Sequence, residues 1–137
     1  MKNPEKILLV IGVILCLSPT FLLFAANKNS EAHYQKLAAK ELKGEIEVVL
    51  RDKTRVDILT KEVAYEVDFA RKWAEGIGQA LHYSTMTERD AGLILIVESE
   101  KDDKYVLRVQ NIMKMKSIRI ILYVYDNRNN LLWRVDK

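Results

Sequence analysis

Three consecutive segments in the middle of the chain alternate between apolar and polar residues, which is the pattern of half-buried β-strands. They cover Glu45–Leu50, Thr54–Leu59 and Val63–Phe69, and short polar segments suited to turns separate them. A segment with helical periodicity follows from about Arg71 to Met86. Three adjacent strands that lead directly into a helix constrain the fold more than any other feature. They predict a sheet with at least one helix packed against it.

The flanking segments extend this pattern to a complete α/β domain. Ser30 is placed to cap a first helix that runs to about Lys43, and Gly44 is suited to end it. Further elements are predicted in the second half of the chain: a strand at Gly92–Glu98, a helix from Asp102 and Asp103, a strand at Ser117–Tyr125, and a short closing strand at Leu131–Val135. The predicted order α-β-β-β-α-β-α-β, with the short strand at its end, is typical of a mixed sheet flanked by helices.

Composition excludes several classes of protein. Of 137 residues, 49% are hydrophobic and 30% are charged, which excludes a disordered chain. The formal net charge is only +3, which argues against nucleic-acid binding through a uniformly basic surface. The single cysteine, Cys16, excludes an internal disulfide and a cysteine-based zinc site. The five glycines are scattered, so no glycine-rich phosphate loop is present.

The N-terminal segment has the pattern of a membrane-targeting sequence. Lys2 and Lys6 precede Ile7–Ala26, an uncharged apolar run whose length matches the thickness of a bilayer core. Small residues at its end are typical of a signal peptide, whereas the bulky Phe24 disfavours cleavage there. Residues 1–28 are therefore interpreted as a signal peptide or an N-terminal membrane anchor. Residues 29–137 are expected to form one domain outside the cytoplasm, in the periplasm or anchored at the inner membrane.

Acidic residues occupy the polar positions of the three central strands. A two-residue turn between the second and third strands places Asp57 opposite Glu66 and Arg55 opposite Asp68. A three-residue turn between the first and second strands places Glu47 opposite Asp57. Directly opposed residues have Cβ atoms roughly 4.5–5.5 Å apart, so like charges there repel. The strands therefore predict a carboxylate cluster that needs a cation, and a hard divalent ion such as Mg²⁺ suits oxygen ligands.

The helix after these strands presents polar residues on one face. Lys72, Gly76, Gln79 and Tyr83 are spaced at helical intervals and share a single stripe. Lys72 lies four residues after Asp68, at the start of the helix, so its ammonium is placed to reach the carboxylates. Gly76 leaves room for this approach.

Four sequence elements together resemble the core of the PD-(D/E)XK nuclease superfamily, the restriction-endonuclease-like proteins: Arg55-Val56-Asp57, Glu66-Val67-Asp68, Lys72-Trp73, and Gln79 with Tyr83. The resemblance spans about residues 30–98 and implies an α-β-β-β-α-β core with a mixed sheet. The apolar run Ile7–Ala26 predicts an N-terminal hydrophobic helix before this core. Asp57 corresponds to the first acid of the superfamily and Glu66 to the second. The chain departs from the pattern at Asp68, which stands where the superfamily has a lysine. In some branches the following helix supplies that lysine, and Lys72 is placed to do so.

The resemblance implies metal-assisted hydrolysis of phosphodiester bonds in nucleic acid, with DNA as the first expectation. Four groups are implied as ligands of Mg²⁺ or Mn²⁺: Asp57, Glu66, the backbone carbonyl of Val67, and Glu47. Lys72 and Gln79 are implied to act on the attacking water or the developing charge. Arg55 and Tyr83 are implied to contact the substrate.

Two alternatives remain open at this point. The acids and Arg55 are also consistent with ordinary cross-strand ion pairs, with a salt bridge between Arg55 and Asp68. Without a functional Lys72, the domain is a degenerate, non-catalytic binding module at the membrane or in the periplasm. Residues 7–26, if uncleaved, make the membrane a partner. A homodimer is a further expectation, because so small a domain offers little surface for reading a sequence.

Overall fold

The structure is a computed structural model that describes residues 30–135. The hydrophobic helix expected in residues 7–26, and the choice between signal peptide and anchor, lie outside the described residues. Between residues 30 and 135, no helix combines the length and the apolar character needed to cross a bilayer.

The described residues form an α/β fold with a six-stranded mixed sheet and three α-helices, in agreement with the predicted fold class. The helices are α1 (Glu31–Leu42), α2 (Trp73–Thr87) and α3 (Asp103–Met115). The strands are β1 (Glu45–Val49), β2 (Arg55–Leu59), β3 (Val63–Phe69), β4 (Asp90–Val97), β5 (Ile121–Asp126) and β6 (Leu131–Arg134). Short 3₁₀ turns, Ala70–Lys72 and Glu100–Asp102, precede α2 and α3.

The strands are arranged in sequence order across the sheet. β1, β2 and β3 form an antiparallel meander, β3, β4 and β5 run parallel, and β6 pairs antiparallel with β5. The two parallel connections contain α2 and α3, as crossover connections usually do. The central strand β4 is buried at every position after Asp90 because both of its faces are covered.

Helices cover the sheet on opposite faces. On one face, α1 buries Tyr34 and Ala38 against residues that include Val67 and Ile94. On the other face, α2 and α3 pack over the alternate side chains of β4 and β5. The domain therefore has three layers, with α1 on one side and α2 and α3 on the other.

Most predicted element boundaries lie within a few residues of those in the structure. The prediction for β3, Val63–Phe69, is confirmed at both ends. The strand predicted to start at Ser117 is wrong at its beginning, since β5 starts at Ile121. Ser117 has φ = 53°, a left-handed conformation that follows the end of α3 and does not belong to extended backbone.

The predicted alternation in β2 is wrong at one position. A two-residue period places Val56 and Ile58 on the same face, yet Val56 packs with Ala64 and Tyr83 whereas Ile58 packs on the α1 side. The pairing between β2 and β3 includes Leu59 and Ile58 but does not extend to Asp57 and Val56, so the N-terminal half of β2 diverges from β3. This separation opens the sheet at the position of the acidic residues.

Candidate functional site

The site begins in the gap between β2 and β3. The observed pairs Ile58↔Tyr65 and Leu59↔Ala64 have the register predicted for this hairpin. Beyond them the side chain of Asp57 bridges the gap, because its Oδ2 accepts a 2.8 Å hydrogen bond from the backbone N–H of Val67. The Asp57 carboxylate is also close enough to Glu66 to raise the pKa of that acid. The two acids predicted to face each other are therefore neighbours across the gap.

Glu47 joins this pair from the edge strand β1. The pairs Ile46↔Ile58 and Val48↔Val56 enclose it, which confirms the register that places Glu47 opposite Asp57. The backbone of Glu47 is left-handed, with φ = 58°. Its Oε2 lies 2.8 Å from Nε of Arg55. The expected salt bridge between Arg55 and Asp68 is therefore wrong, because the departure of β2 from β3 separates them and Arg55 turns to its β1 neighbour.

Helix α1 contributes a residue that the sequence analysis missed. Gln35 is buried, with 4% of its surface exposed. Its Nε2 lies 2.8 Å from Oε1 of Glu47, 3.0 Å from the backbone oxygen of Asp57 and 3.3 Å from Oδ1 of Asp57. One amide group therefore donates to acids on two strands and holds them together. Strand periodicity contains no signal for this contact, since it depends on how α1 crosses the sheet.

An acid of α1, Glu31, lies beside Lys72. Nζ of Lys72 is 3.2 Å from Oδ1 of Asp68 and 3.9 Å from Oε2 of Glu31. Asp68 is buried and also accepts a 2.8 Å hydrogen bond from the N–H of Phe69. Lys72 thus reaches the acidic cluster from the helix start, as the sequence predicted. Its direct contacts are with Asp68 and Glu31.

Helix α2 crosses closely over the acids through Gly76. A Cβ atom at Gly76 would lie 3.8 Å from Cβ of Asp68 and 4.0 Å from Cγ of Glu66. One turn and two turns further along, Gln79 and Tyr83 follow on the same stripe. Tyr83 is buried, and burial together with the nearby Glu66 carboxylate raises the pKa of its hydroxyl. Gly76 therefore makes room for the helix itself, which brings Gln79 and Tyr83 to the site.

Burial and mutual repulsion disfavour ionisation of the acids. Burial, together with the neighbouring Asp57 carboxylate, raises the pKa of Glu66 to about 9. Burial also raises the pKa of Asp57 to about 6, although its hydrogen bond from Val67 acts in the opposite direction. In Glu31, burial and the nearby Asp68 raise the pKa to about 7. The cluster therefore retains protons at neutral pH unless positive charge is added.

An open cleft of about 560 Å³ gives access to the acids Glu31, Glu47 and Asp57. The residues that line it come from α1, the β1–β2 hairpin and α2: Glu31, Glu47, Val49, Lys53, Thr54, Arg55, Asp57 and Tyr83. Acids thus lie in the same cleft as the cations Lys53 and Arg55. Such a cleft suits a ligand that combines a divalent cation with an anionic group.

The acids of the described residues do not form a preorganised metal-binding site. Across the described residues, no group of three or more His, Cys, Asp or Glu side chains is placed to hold a metal ion. Glu47, Asp57 and Asp68 direct oxygens at protein donors instead. Oε2 of Glu66, however, is buried and has no hydrogen-bond partner within residues 30–135. A buried oxygen without a hydrogen-bond partner lowers the stability of the fold. This oxygen accepts no hydrogen bond from the described residues and is chemically suited to be a metal ligand.

No protein-family model matches this chain, and no match is found among curated proteins or solved structures. The chemical assignment of the site consequently depends on its own side chains.

Proposed function

We propose that the protein is a Mg²⁺-dependent nuclease that hydrolyses phosphodiester bonds at this cleft. One observation carries the proposal: Asp57, Glu66 and Asp68 are brought together in or beside the sheet with a single ammonium, that of Lys72, close to them. A fold that only needed stability would gain little from such a cluster, because buried like charges repel. A divalent cation supplies the positive charge that the cluster lacks.

The residues present fit a divalent ion if the carboxylates exchange some of their present hydrogen bonds for bonds to the metal. Glu66 offers an unpaired oxygen with the Asp57 carboxylate near it, and Glu47 is linked to Asp57 through the amide of Gln35. The backbone carbonyl of Val67 is a further proposed ligand. Mg²⁺ prefers such oxygen donors, keeps several waters, and is typically held by one or two carboxylates. Bound there, the ion would polarise the phosphate and lower the pKa of the attacking water.

The other side chains are assigned by their positions. The Arg55 guanidinium is exposed in the cleft and is suited to a phosphate oxygen in place of Glu47. Lys72 brings its ammonium to the acidic end of the cluster, where it is proposed to stabilise developing negative charge. Gln79 and Tyr83 lie one turn apart on α2, with Tyr83 near Glu66, and are proposed to orient the water or the substrate.

The order of elements from α1 to β4 is α-β-β-β-α-β, as in the restriction-endonuclease-like core. The acids stand at the second and third strands, where the PD-(D/E)XK resemblance implies them. This agreement supports membership of the superfamily as a proposal. Asp68 remains the departure from the pattern, and its pairing with Lys72 compensates for the changed residue by bringing in the missing cation.

A second candidate is a non-catalytic, nuclease-like binding module. The observation that favours it is the same ion pair, because Lys72 already neutralises Asp68 and lies near Glu31. A lysine held in that way has less freedom to act on a substrate.

Calorimetric titration of the full chain with Mg²⁺ or Mn²⁺ tests the proposal. Asp57→Asn and Glu66→Gln keep the shape of each side chain and are expected to abolish binding. Glu62→Gln, at an exposed acid in the β2–β3 turn, is the matched control and is expected to bind as the native chain does.

The nuclease is supported if metal binding depends on Asp57 and Glu66 and if the variants rank in the same order for cleavage of nucleic acid as for metal affinity. Metal binding without cleavage supports the non-catalytic module. Absence of binding at millimolar metal by a folded protein contradicts both the metal site and the hydrolytic mechanism.

A further inference from the structure

The positive charge of the protein is concentrated in one segment. Residues 104–125 contain five basic residues and no acidic residue: Lys104, Arg108, Lys114, Lys116 and Arg119. The whole chain has a formal net charge of +3, so +3 − 5 leaves −2 for the remainder. A nearly even overall balance therefore conceals a strongly basic region, which the composition alone does not reveal.

Helix α3 displays this charge on its outward face. Lys104, Arg108 and Lys114 are all exposed. Lys104 and Arg108 are one turn apart, and Lys114 lies about 80° around the helix axis from Lys104, still on the side that faces away from the core. At a rise of about 1.5 Å per residue, their positions along the axis differ by about 6 Å and about 9 Å. The opposite face of α3 buries Val109 and Met113 in the core. Packing thus fixes the direction in which the three cations point.

These cations are not neutralised by the protein. Among residues 30–135, none of the five basic side chains in this segment forms an ion pair, whereas Arg55, Arg71 and Arg128 all do. Nζ of Lys104 lies 4.9 Å from the centre of the Tyr105 ring, and Cζ of Arg108 lies 5.3 Å from it. The face therefore combines unpaired positive charge with a half-buried aromatic ring.

We propose that the exposed face of α3 is a binding surface for the phosphate backbone of nucleic acid. The choice of nucleic acid among polyanions rests on the proposed nuclease function, and the surface itself rests on the charge and packing of α3. Unpaired cations along a helix attract phosphates and release their counterions, which produces affinity that depends strongly on salt. An aromatic ring between two cations is suited to contact a base of a single strand.

An anionic bilayer is the competing partner, because the apolar side chains of Leu107 and Met115 are exposed on the same side of α3 as the cations. The connectivity of the chain favours nucleic acid. Only residues 27–29 separate the apolar run from Ser30, so an anchor would hold Ser30 within roughly 14 Å of the bilayer. Ser30 leads into α1, on the sheet face opposite α3, and the layers between them span roughly 20 Å. An anchored domain therefore presents α3 away from the bilayer.

Fluorescence anisotropy of a labelled single-stranded DNA tests this surface with the full chain. EDTA is present throughout, so binding is measured without metal and without cleavage. The test variant is Lys104→Glu/Arg108→Glu/Lys114→Glu. The control is Lys36→Glu/Lys40→Glu/Lys61→Glu, which changes net charge equally at exposed positions of α1 and the β2–β3 turn. Circular dichroism verifies that both are folded.

The α3 variant is expected to lose at least about tenfold in affinity and to reduce the slope of log affinity against log salt by roughly 2. The control is expected to keep most of both. Equal losses in the two variants would attribute binding to net charge and overturn the proposal, as would a native chain that does not bind DNA.

Two further measurements separate the remaining outcomes. If the α3 variant binds DNA normally but loses affinity for phosphatidylglycerol vesicles relative to the control, the surface is a lipid surface and the proposal is wrong. DNA binding is measured in EDTA and metal binding in the absence of DNA, so the two results are independent. Failure of metal binding would refute the nuclease and leave the α3 surface intact, whereas failure of DNA binding alone would refute only the surface.

Discussion

The ammonium of Lys72 lies 3.2 Å from a carboxylate oxygen of Asp68, four residues earlier in the chain. The Asp68 side chain is 3% exposed, whereas that of Lys72 is 47% exposed, so a cation at the surface balances an acid in the interior. The hydrogen bond with Asp68 raises the pKa of Lys72 above its ordinary value, and the lysine remains charged at any physiological pH. Asp68 differs from the lysine that the resemblance implies at its position, and Lys72 supplies a cation beside it.

Removal of the cation is expected to destabilise the fold. Lys72→Met leaves Asp68 without its ion-pair partner and should lower the free energy of unfolding by roughly 1–3 kcal/mol, less than for a fully buried pair because Lys72 is half-exposed. The double variant Lys72→Met/Asp68→Asn should recover most of this loss, as measured by urea denaturation. If the double variant also cleaves nucleic acid normally, Lys72 has no catalytic role.

The stability of the metal-free protein is expected to fall as the pH rises. The pKa of Glu66 is raised from 4.5 to about 9, so the folded state binds more protons than the unfolded state between these values. Stability from this group is complete below about pH 4.5 and is lost as the pH rises through 9, at a rate of at most about 1.4 kcal/mol per pH unit for one proton.

Urea denaturation in EDTA across this range measures the slope, and Glu66→Gln should flatten it. Glu62→Gln, at an exposed acid, should leave the slope unchanged. A native slope equal to that of Glu66→Gln would show that Glu66 titrates normally in the folded protein.

Asp57 is expected to have separable structural and chemical roles. Asp57→Ala removes the acceptor of the Val67 N–H and should destabilise the fold by roughly 1–3 kcal/mol. Asp57→Asn keeps an oxygen for Val67 and relieves repulsion with Glu66, so its stability should equal or exceed that of the native chain. Thermal unfolding compares the two variants. Both should lose metal binding and cleavage, and retention of either by Asp57→Asn would contradict a ligand role.

Two neighbouring glycines of α2 provide a test of its close approach to the sheet. A Cβ at Gly76 would lie 2.9 Å from Cδ1 of the buried Leu93, so Gly76→Ala should destabilise the fold by about 1–2 kcal/mol. Gly78 has no atom within 4 Å of the corresponding position, and Gly78→Ala should stabilise the fold by up to about 1 kcal/mol through helix propensity. Chemical denaturation of both variants checks the opposite signs. Equal effects would mean that α2 does not pack as described.

The sequence predicts the sheet and the position of Glu47 well because both depend on local spacing. The alternation of polar and apolar residues defines β3, and hairpin geometry places Glu47 opposite Asp57. Lys72 reaches the cluster because residues four apart on a helix are neighbours.

The missed features all depend on packing between elements that are distant along the chain. Gln35 reaches Glu47 and Asp57 only because α1 crosses the sheet at that point. The two-residue period assigns Val56 and Ile58 to one face, but the divergence of β2 from β3 breaks the period. The same divergence directs Arg55 towards Glu47, and a pairing rule that assumes continuous strands does not anticipate it.

The left-handed backbone of Glu47 also bears on how copies of the protein can meet. β1 is an outer strand of the described sheet, and a regular outer strand exposes N–H and C=O groups in the spacing that another chain needs for pairing. The reversed φ of Glu47 interrupts that spacing in the middle of a five-residue strand. The same residue therefore supplies a carboxylate to the cleft and disfavours the addition of a strand along this edge.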